Sequence, residues 1–519
     1  MSSGYPVNNF YEILLQNVSK DPSYPALIDG ENKITNLEFL RKVDTVANAL
    51  ANLGITRGDK VALVIANSPE FIVNLFAITK IGAVAVPVNN FLKRDELAYI
   101  LTDSQSKLLF ASAKYSKEVA GLTLVSYPEK IIWVDGAPLE NEINLDYDKF
   151  IAVDGASELV IDNIDELAVI IYTSGTTGKP KGAMLSFKNL LAVAYNGIKH
   201  FRMKDGQAKM ICYLPMFHAF TLAVTILLPI ACRSSVVIVR SIATKKDFAN
   251  LLKLLLVHRC RYFAGVPDIF SAMARAKLPW YFHWFHNVKG WVSGAAPLSD
   301  DVIKRFSTSF KRGKLVQGYG LSECASGVAL NQPWANKFGS VGRALPTFIL
   351  ETFDENMQQL PRGEIGEICV QGDCVMLGYY NRPNDTADTI VNGWFKTGDI
   401  GYIDSDGYVF IIDRIKDLII NKGMNIYPRE IEEFFYTHEK VQACAVVGVK
   451  DIEANETPVA YVELKEGVTA TEKEFKDFLK PLLAPFKQPR KVYFMEKLPR
   501  NATGKILKRE LRELAANDK

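Results

Sequence analysis

The sequence predicts an α/β protein: a large N-terminal domain of several subdomains, built on parallel sheets and ending in a β-rich part, followed by a small mobile α+β C-terminal domain. Three observations predict it. Apolar runs of strand length alternate with amphipathic helical patterns in the N-terminal part, which implies parallel sheets covered by helices. The composition turns Gly- and Asp-rich near Ala344, with short β-like runs. A charged joint, Asp413-Arg-Ile-Lys-Asp417, then separates two apolar runs ahead of a short mixed tail. At 519 residues the chain is too long for one core.

The elements follow in order. Thr35-Asn-Leu-Glu38 is a capping box and Gly54 a natural stop, and between them Leu37, Leu40, Val43, Ala47 and Leu50 recur at helical spacing. Asp59–Ile65 reads as a strand, Pro69–Lys80 as a helix and Ala83–Pro87 as the next strand. Leu167–Tyr172 is a buried strand. Gly182–Leu185 is extended, and a helix opens after Ser186 as its N-cap. The longest apolar stretch, Ala219–Cys232, holds Pro229 and stops at Arg233. It is too short to span a bilayer and reads as a buried helix beside a pocket. Glu351–Tyr408, with runs such as Gly366–Val370, is the β-rich part. The tail reads as helix Pro428–Tyr436, strands Ala443–Val449 and Val459–Leu464, helix Thr471–Leu483 and a final helix Lys505–Ala515. The expected boundaries are 1–413 for the large domain (344–413 its β-rich part), 414–417 for the joint and 418–519 for the small domain.

Net charge is +3, which gives no overall bias toward nucleic acid. Residues Lys480–Lys519 are an exception, with 11 Lys/Arg against four acids: either a solvated basic helix or a surface that meets a phosphorylated ligand. Seven cysteines without C-x-x-C spacing argue against a disulfide framework or zinc site and fit a reducing cytoplasm. The N-terminus lacks a signal-peptide pattern. A soluble, cytoplasmic protein is expected.

The densest chemistry lies in Tyr172–Gly182, where three glycines, four hydroxyl side chains of Ser and Thr, and Lys179 and Lys181 follow a buried strand. Glycines let a backbone turn tightly and aim its N–H groups at one place, and hydroxyls and lysines complete a polyphosphate cradle. A Walker A loop is excluded: Gly175 and Gly178 are too close together, and Pro180 follows Lys179 where Ser or Thr is needed. No helix N-terminus backs this loop.

The run resembles the phosphate loop of the adenylate-forming superfamily, which includes acyl-CoA synthetases, adenylation domains of peptide synthetases and luciferases. Further matches follow in family order along nearly the whole chain: Pro215-Met-Phe-His218, Gly294-Ala-Ala-Pro297, Tyr319-Gly-Leu-Ser-Glu323, Thr397-Gly-Asp399, Asp413-Arg-Ile-Lys-Asp417 and Pro499-Arg-Asn-Ala-Thr-Gly-Lys505. The chain is most similar to bacterial fatty acid–CoA ligases.

The resemblance implies roles. Thr173, Ser174, Gly175, Thr176, Thr177, Gly178 and Lys181 would hold the β- and γ-phosphates of ATP. Gly294, Ala295 and Ala296 form the adenine-side turn, with Tyr319 as the ring on which adenine stacks. Ser322 would touch the α-phosphate. Glu323, with Thr177, would bind Mg²⁺, for which one carboxylate suffices beside phosphate oxygens and water. Asp399 would accept from the ribose hydroxyls, and Arg414 would reach ribose or phosphate. Gly318 and Gly320 would leave room for the acyl group, with His218, Phe220 and Gly294 in the same pocket. His218 alone reads as a core histidine between Phe217 and Phe220. By resemblance it lies near the arriving thiol of coenzyme A. Lys505, opening the final helix, would bridge carboxylate and α-phosphate, since a lysine and a helix N-terminus both attract an anion. Lys416 would be the hinge.

The implied activity is an ATP-dependent carboxylic acid–CoA ligase acting on a medium- or long-chain fatty acid. An aryl-CoA ligase, a ligase loading an acyl-carrier protein and an inactive adenylate-binding protein are the alternatives. Two departures bear on this. Ile420 stands where plant aryl-CoA ligases carry lysine, which favours aliphatic acids. Asp413 stands where glycine is usual. Finally, Pro279-Trp-Tyr-Phe-His-Trp-Phe285 is unusually aromatic. Core or subunit contact, as in a homodimer, is the ordinary reading, and exposure with peripheral membrane contact is the alternative.

Overall fold

Val61 and Leu63 point into one apolar cluster, and Ala62 and Val64, their alternating neighbours, into another. Both faces of their strand are therefore covered, as expected of a parallel strand flanked by helices. The computed structural model describes residues 4–119, 122, 128–138, 143–153, 155, 163–173, 179–276, 278–451, 455–500 and 504–517.

Lys60–Val64 lies inside an eight-stranded sheet, paired in parallel with Val84–Pro87 and Ser106–Ala111. Leu167–Thr173 joins Val84–Pro87 in parallel and then turns back as the antiparallel strand Lys181–Ser186. The capping box predicted at Thr35 and Glu38 is present and opens the helix Asn36–Asn52. Ser186 caps the helix Phe187–His200.

A second sheet sets Tyr262–Gly265, Gly290–Ser293 and Lys314–Leu321 in parallel, then adds Ser326–Leu330 and Arg343–Ala344 antiparallel. The β-rich part is a five-stranded antiparallel sheet whose long strand, Trp394–Ile403, pairs with Gly366–Gly372 and Val409–Arg414. The small C-terminal domain is a five-stranded sheet with the helices Pro428–Thr437, Glu472–Leu479 and Lys508–Asn517. Along its strand Val441–Asp451, Cys444 and Val446 face one cluster and Ala443, Ala445 and Val447 the other. The mixed α/β architecture of a large and a small domain is as the sequence predicts.

Two elements differ from expectation. The stretch Ala219–Cys232 is buried, but its centre, Thr221–Leu227, winds as a π-helix before the short helix Leu228–Ala231. The final helix begins at Lys508, not Lys505. An antiparallel bridge pairs Arg500 with Ile506, and Leu507 N donates to Pro499 O at 2.9 Å, which occupies these residues ahead of the helix. All seven cysteines are free and buried. Among the described residues no helix is long and apolar enough to cross a membrane.

Candidate active site

The site forms where the carboxyl ends of parallel strands meet the β-rich part, as the rule for open α/β sheets requires. Thr173 ends its strand opposite Lys181. The connection between them joins two antiparallel strands, and the nearest helix starts only at Phe187. Among the described residues no helix therefore directly follows this connection, the feature that separates it from a Walker A loop. Ser174, Gly175, Thr176, Thr177 and Gly178 lie outside the described residues.

Glu323 sits on a 3-10 turn, Ser322–Cys324, that follows the strand Lys314–Leu321. The fully buried Cys324 anchors this turn in the core. Glu323 Oε1 accepts from Thr173 Oγ1 at 3.2 Å and from Tyr379 Oη at 3.1 Å. Both donors address one oxygen, and Oε2 accepts from no described residue. A half-buried carboxylate with one open oxygen beside the phosphate loop fits a Mg²⁺ ion that takes its remaining ligands from phosphate and water.

Asp399 and Arg414 are directly opposite across their two strands, so their side chains meet. Arg414 Nε forms an ion pair with Asp399 Oδ1 at 2.9 Å, and Tyr319 Oη donates to Oδ2 at 2.5 Å. The Asp399 carboxylate is only 3 % exposed. Each of its oxygens retains a lone pair for a further donor. Burial, then the Asp399 charge, drives the Tyr319 phenol pKa far up, so it stays a donor. The strand register shifts between Tyr319 and Gly320, a bulge of the kind that re-aims a side chain at a site.

The structure gives two of the glycines a packing role. A Cβ at Gly320 would lie 1.7 Å from the Ser326 carbonyl oxygen, and one at Gly318 would lie 2.7 Å from Leu330 Cδ1. The neighbouring strand Ser326–Leu330 takes that space, so strand packing by itself calls for glycine at 320, while at 318 only the end of the Leu330 side chain would have to shift. At Gly294 the nearest contact for a Cβ is the Phe220 ring, at 3.6 Å, so these two pocket candidates lie side by side. The next residue, Ala295, holds φ +67, a conformation rarely adopted outside glycine.

His218 lies against Phe217, with ring centroids 4.3 Å apart. Its Nε2 is buried without a hydrogen-bond partner, and burial lowers its pKa to about 4. It is a neutral imidazole with an unused buried polar atom.

The small domain brings Lys505 to this place. Burial, first, and then the positive charges of Arg414 and Lys416 hold its pKa down at about 8, while Asp399 and Asp417 act the other way. Lys505 does not open a helix, so the expected dipole contribution is absent. Its approach depends instead on Gly504, which has φ +82 and leaves room for Asp268 Oδ2, 2.8 Å from where a Cβ would be. Arg500 sits 3.5 Å from the same carboxylate.

Residues that sequence reasoning missed also shape the site. Lys181 Nζ pairs with Asp385 at 2.6 Å and lies 5.5 Å from the Tyr379 ring centre, whereas Lys179 sits over the Tyr99 ring. Tyr379 thus links Glu323 to Lys181. The joint carries a second unforeseen set. Asp413 accepts from Arg429 N at 2.8 Å, Asp417 pairs with Arg512, and the Lys416 carbonyl accepts from Arg512. No local spacing connects these residues, and only the fold does.

Two family models match the chain in order: one for AMP-binding enzymes over residues 14–380, and one for the C-terminal domain of AMP-binding enzymes over residues 430–505. The chain belongs to the AMP-binding enzyme family. This AMP-binding enzyme is 32 % identical over 541 residues to a long-chain-fatty-acid–CoA ligase of Bacillus subtilis (strain 168), covering 98 % of this chain and 95 % of that protein. It is 34 % identical over 518 residues to 4-coumarate–CoA ligase 1 of Petroselinum crispum, covering 97 % and 93 %. Among solved structures, ATP-bound MatB from Rhodopseudomonas palustris matches with a TM-score of 0.89 at 31 % identity, over 98 % of this chain and 99 % of that one.

Proposed function

We propose that this chain is an ATP- and Mg²⁺-dependent carboxylic acid–CoA ligase, forming an acyl-adenylate and then an acyl-CoA thioester. The observation that carries the reading is the buried Asp399–Arg414 pair, whose carboxylate also takes the Tyr319 hydroxyl; Lys505 of the small domain is buried within reach of the charges of both. An ATPase needs no such second cation beside the nucleoside site, whereas joining a carboxylate to an α-phosphate does, because two anions must be brought together.

In the first step a carboxylate oxygen of the acid attacks the α-phosphorus of ATP, and the bond to pyrophosphate breaks. Lys505 offsets the charge of both anions. Asp399 and Arg414 fix the ribose side, and Tyr319, locked by Asp399, gives adenine a flat partner. Mg²⁺, held by Glu323, with Thr177 as a further candidate, would neutralise phosphate charge. Thr173 and Tyr379 orient that carboxylate. Ser322, Lys181 and the loop 174–178 complete the phosphate cradle.

In the second step the thiol of coenzyme A attacks the acyl carbonyl, loses its proton, and AMP leaves. AMP is a good leaving group and a thiol is fairly acidic, so little base catalysis is required. His218, neutral and buried, suits a pocket wall better than a proton acceptor. We assign the change between steps to rotation of residues 418–519 about 414–417, with Lys416 as pivot. Such movement would have to break the Asp413–Arg429 contact, which crosses the pivot, while Asp417 and Arg512 can move together.

We take the acid to be a medium- or long-chain fatty acid and the compartment to be the cytoplasm. Likeness to a long-chain-fatty-acid–CoA ligase and the apolar Ile420 support the aliphatic reading. The comparable likeness to a 4-coumarate–CoA ligase supports an aromatic acid as the second reading. Hydroxylamine trapping of acyl-adenylate across both acid classes tests it. The aliphatic reading requires hydroxamate from octanoate or longer acids in preference to coumarate, and the reverse order overturns it.

A further inference from the structure

The helix Trp280–Phe285 presents nearly all its rings to solvent. Trp280 is 72 % exposed, Trp284 71 %, Phe285 63 % and Tyr281 46 %. Trp280 and Trp284 are one turn apart, as are Tyr281 and Phe285, so the four share one side. Phe282 turns inward, and His283 packs on Phe310 beside it. Phe282 is 2 % exposed, with ring centroids 5.5 Å from His286 and 6.2 Å from Phe310. Single exposed apolar residues are ordinary, but four adjacent aromatic rings on one short helix form a patch.

Cations surround this patch. The loops entering the parallel strands Tyr262–Gly265, Gly290–Ser293 and Lys314–Leu321 carry Arg259, Lys289, Lys311, Arg312 and Lys314, all exposed. Residues 257–263, 286–290 and 310–315 contain no carboxylate. The patch and the loops are joined: the Arg312 guanidinium donates to the Trp284 carbonyl, and Phe310 of the same loop packs under the helix.

We propose that this face docks on the surface of a phospholipid bilayer containing anionic headgroups. Tryptophan and tyrosine favour the headgroup level of a membrane, where an apolar ring and a polar edge are both satisfied, and basic residues beside them draw the protein to anionic lipid. A six-residue helix cannot span the bilayer, so contact is peripheral. A second copy of the chain fits this face less well. A two-fold contact would set the same five cations against themselves, with no carboxylate in the three loops to pair them. The geometry also suits catalysis at a surface. The patch lies at the amino ends of strands whose carboxyl ends carry Gly294 and Tyr319. The distance from Lys314 to Tyr319 is about 17 Å along the strand, so docking leaves the nucleotide site facing water.

The test uses the full chain in flotation with vesicles of phosphatidylcholine alone and of phosphatidylcholine mixed with phosphatidylglycerol. Tryptophan quenching by brominated lipid is read on the same samples. The native chain should float with the anionic vesicles, lose that binding at high salt, and show quenching. W280S/W284S should lower the partition coefficient about tenfold or more. K311E/K314E should lower it about fivefold per charge removed on anionic vesicles only. Both variants should keep native melting temperature and adenylation rate with a water-soluble acid, since none of these residues lies at the nucleotide site. Three results would overturn the proposal: native protein that fails to float with anionic vesicles, binding that survives both pairs of substitutions, or a concentration-dependent dimer that W280S/W284S dissolves.

Discussion

The Tyr319 hydroxyl donates to Asp399 Oδ2 at 2.5 Å while Arg414 holds the other oxygen at 2.9 Å. One buried carboxylate therefore fixes both the ring offered to adenine and the cation beside the ribose. Tyr319→Phe removes one charge-assisted hydrogen bond worth roughly 1.5–3 kcal/mol, so the KM for ATP should rise about tenfold or more. Asp399→Asn should cost more, because Arg414 loses its partner. Steady-state kinetics with varied ATP checks both, and an unchanged KM in Tyr319→Phe would separate the ring from nucleotide binding.

The pH profile should report Lys505. Its pKa is held at about 8, below the ordinary 10.5, by burial and the nearby cations. The ammonium is present below that value and is lost above it. Adenylation kcat/KM, which follows the free enzyme, should therefore fall as pH rises through about 8. Bound anions favour the charged form, so the fall in kcat should come at higher pH. His218, at about 4, adds no ionisation near neutrality. A kcat/KM profile flat through pH 9 would remove Lys505 from this role.

Gly504→Ala should impair adenylation specifically. The residue has φ +82, and an added Cβ would meet Asp268 Oδ2 at 2.8 Å. Strain of about 1–3 kcal/mol corresponds to a loss of roughly tenfold in the rate of pyrophosphate release. Thioester formation from supplied acyl-adenylate should change much less. Adding Asp268→Ala should restore part of the loss, and no recovery would assign all of it to backbone strain.

The glycines should divide by role. Gly320→Ala places a Cβ 1.7 Å from a backbone oxygen that cannot yield, so the protein should melt far lower or fail to accumulate. Gly294→Ala makes only an ordinary contact with Phe220, so melting should be native while the preference among acids shifts. Thermal unfolding beside an acid screen distinguishes them.

Much of the fold was legible because alternation and capping are local. The Thr35–Glu38 box, the Ser186 cap and the buried strand Leu167–Thr173 each follow from neighbouring residues. Contacts that join distant segments were not legible. Nothing near Tyr379 says that it reaches Glu323, and nothing near Asp385 says that it takes Lys181. The sequence reading opens the final helix at Lys505, whereas the helix begins at Lys508. The bridge between Arg500 and Ile506 occupies the residues ahead of it. Nothing near Gly320 says that the Ser326 carbonyl oxygen would lie 1.7 Å from a Cβ there.

The most direct test of the central claim is exchange of labelled pyrophosphate into ATP without coenzyme A. Label should enter ATP only when a carboxylic acid is present, and Lys505→Ala should abolish the exchange while leaving melting temperature native. Acid-independent release of ADP and phosphate, or full exchange in Lys505→Ala, would contradict the account.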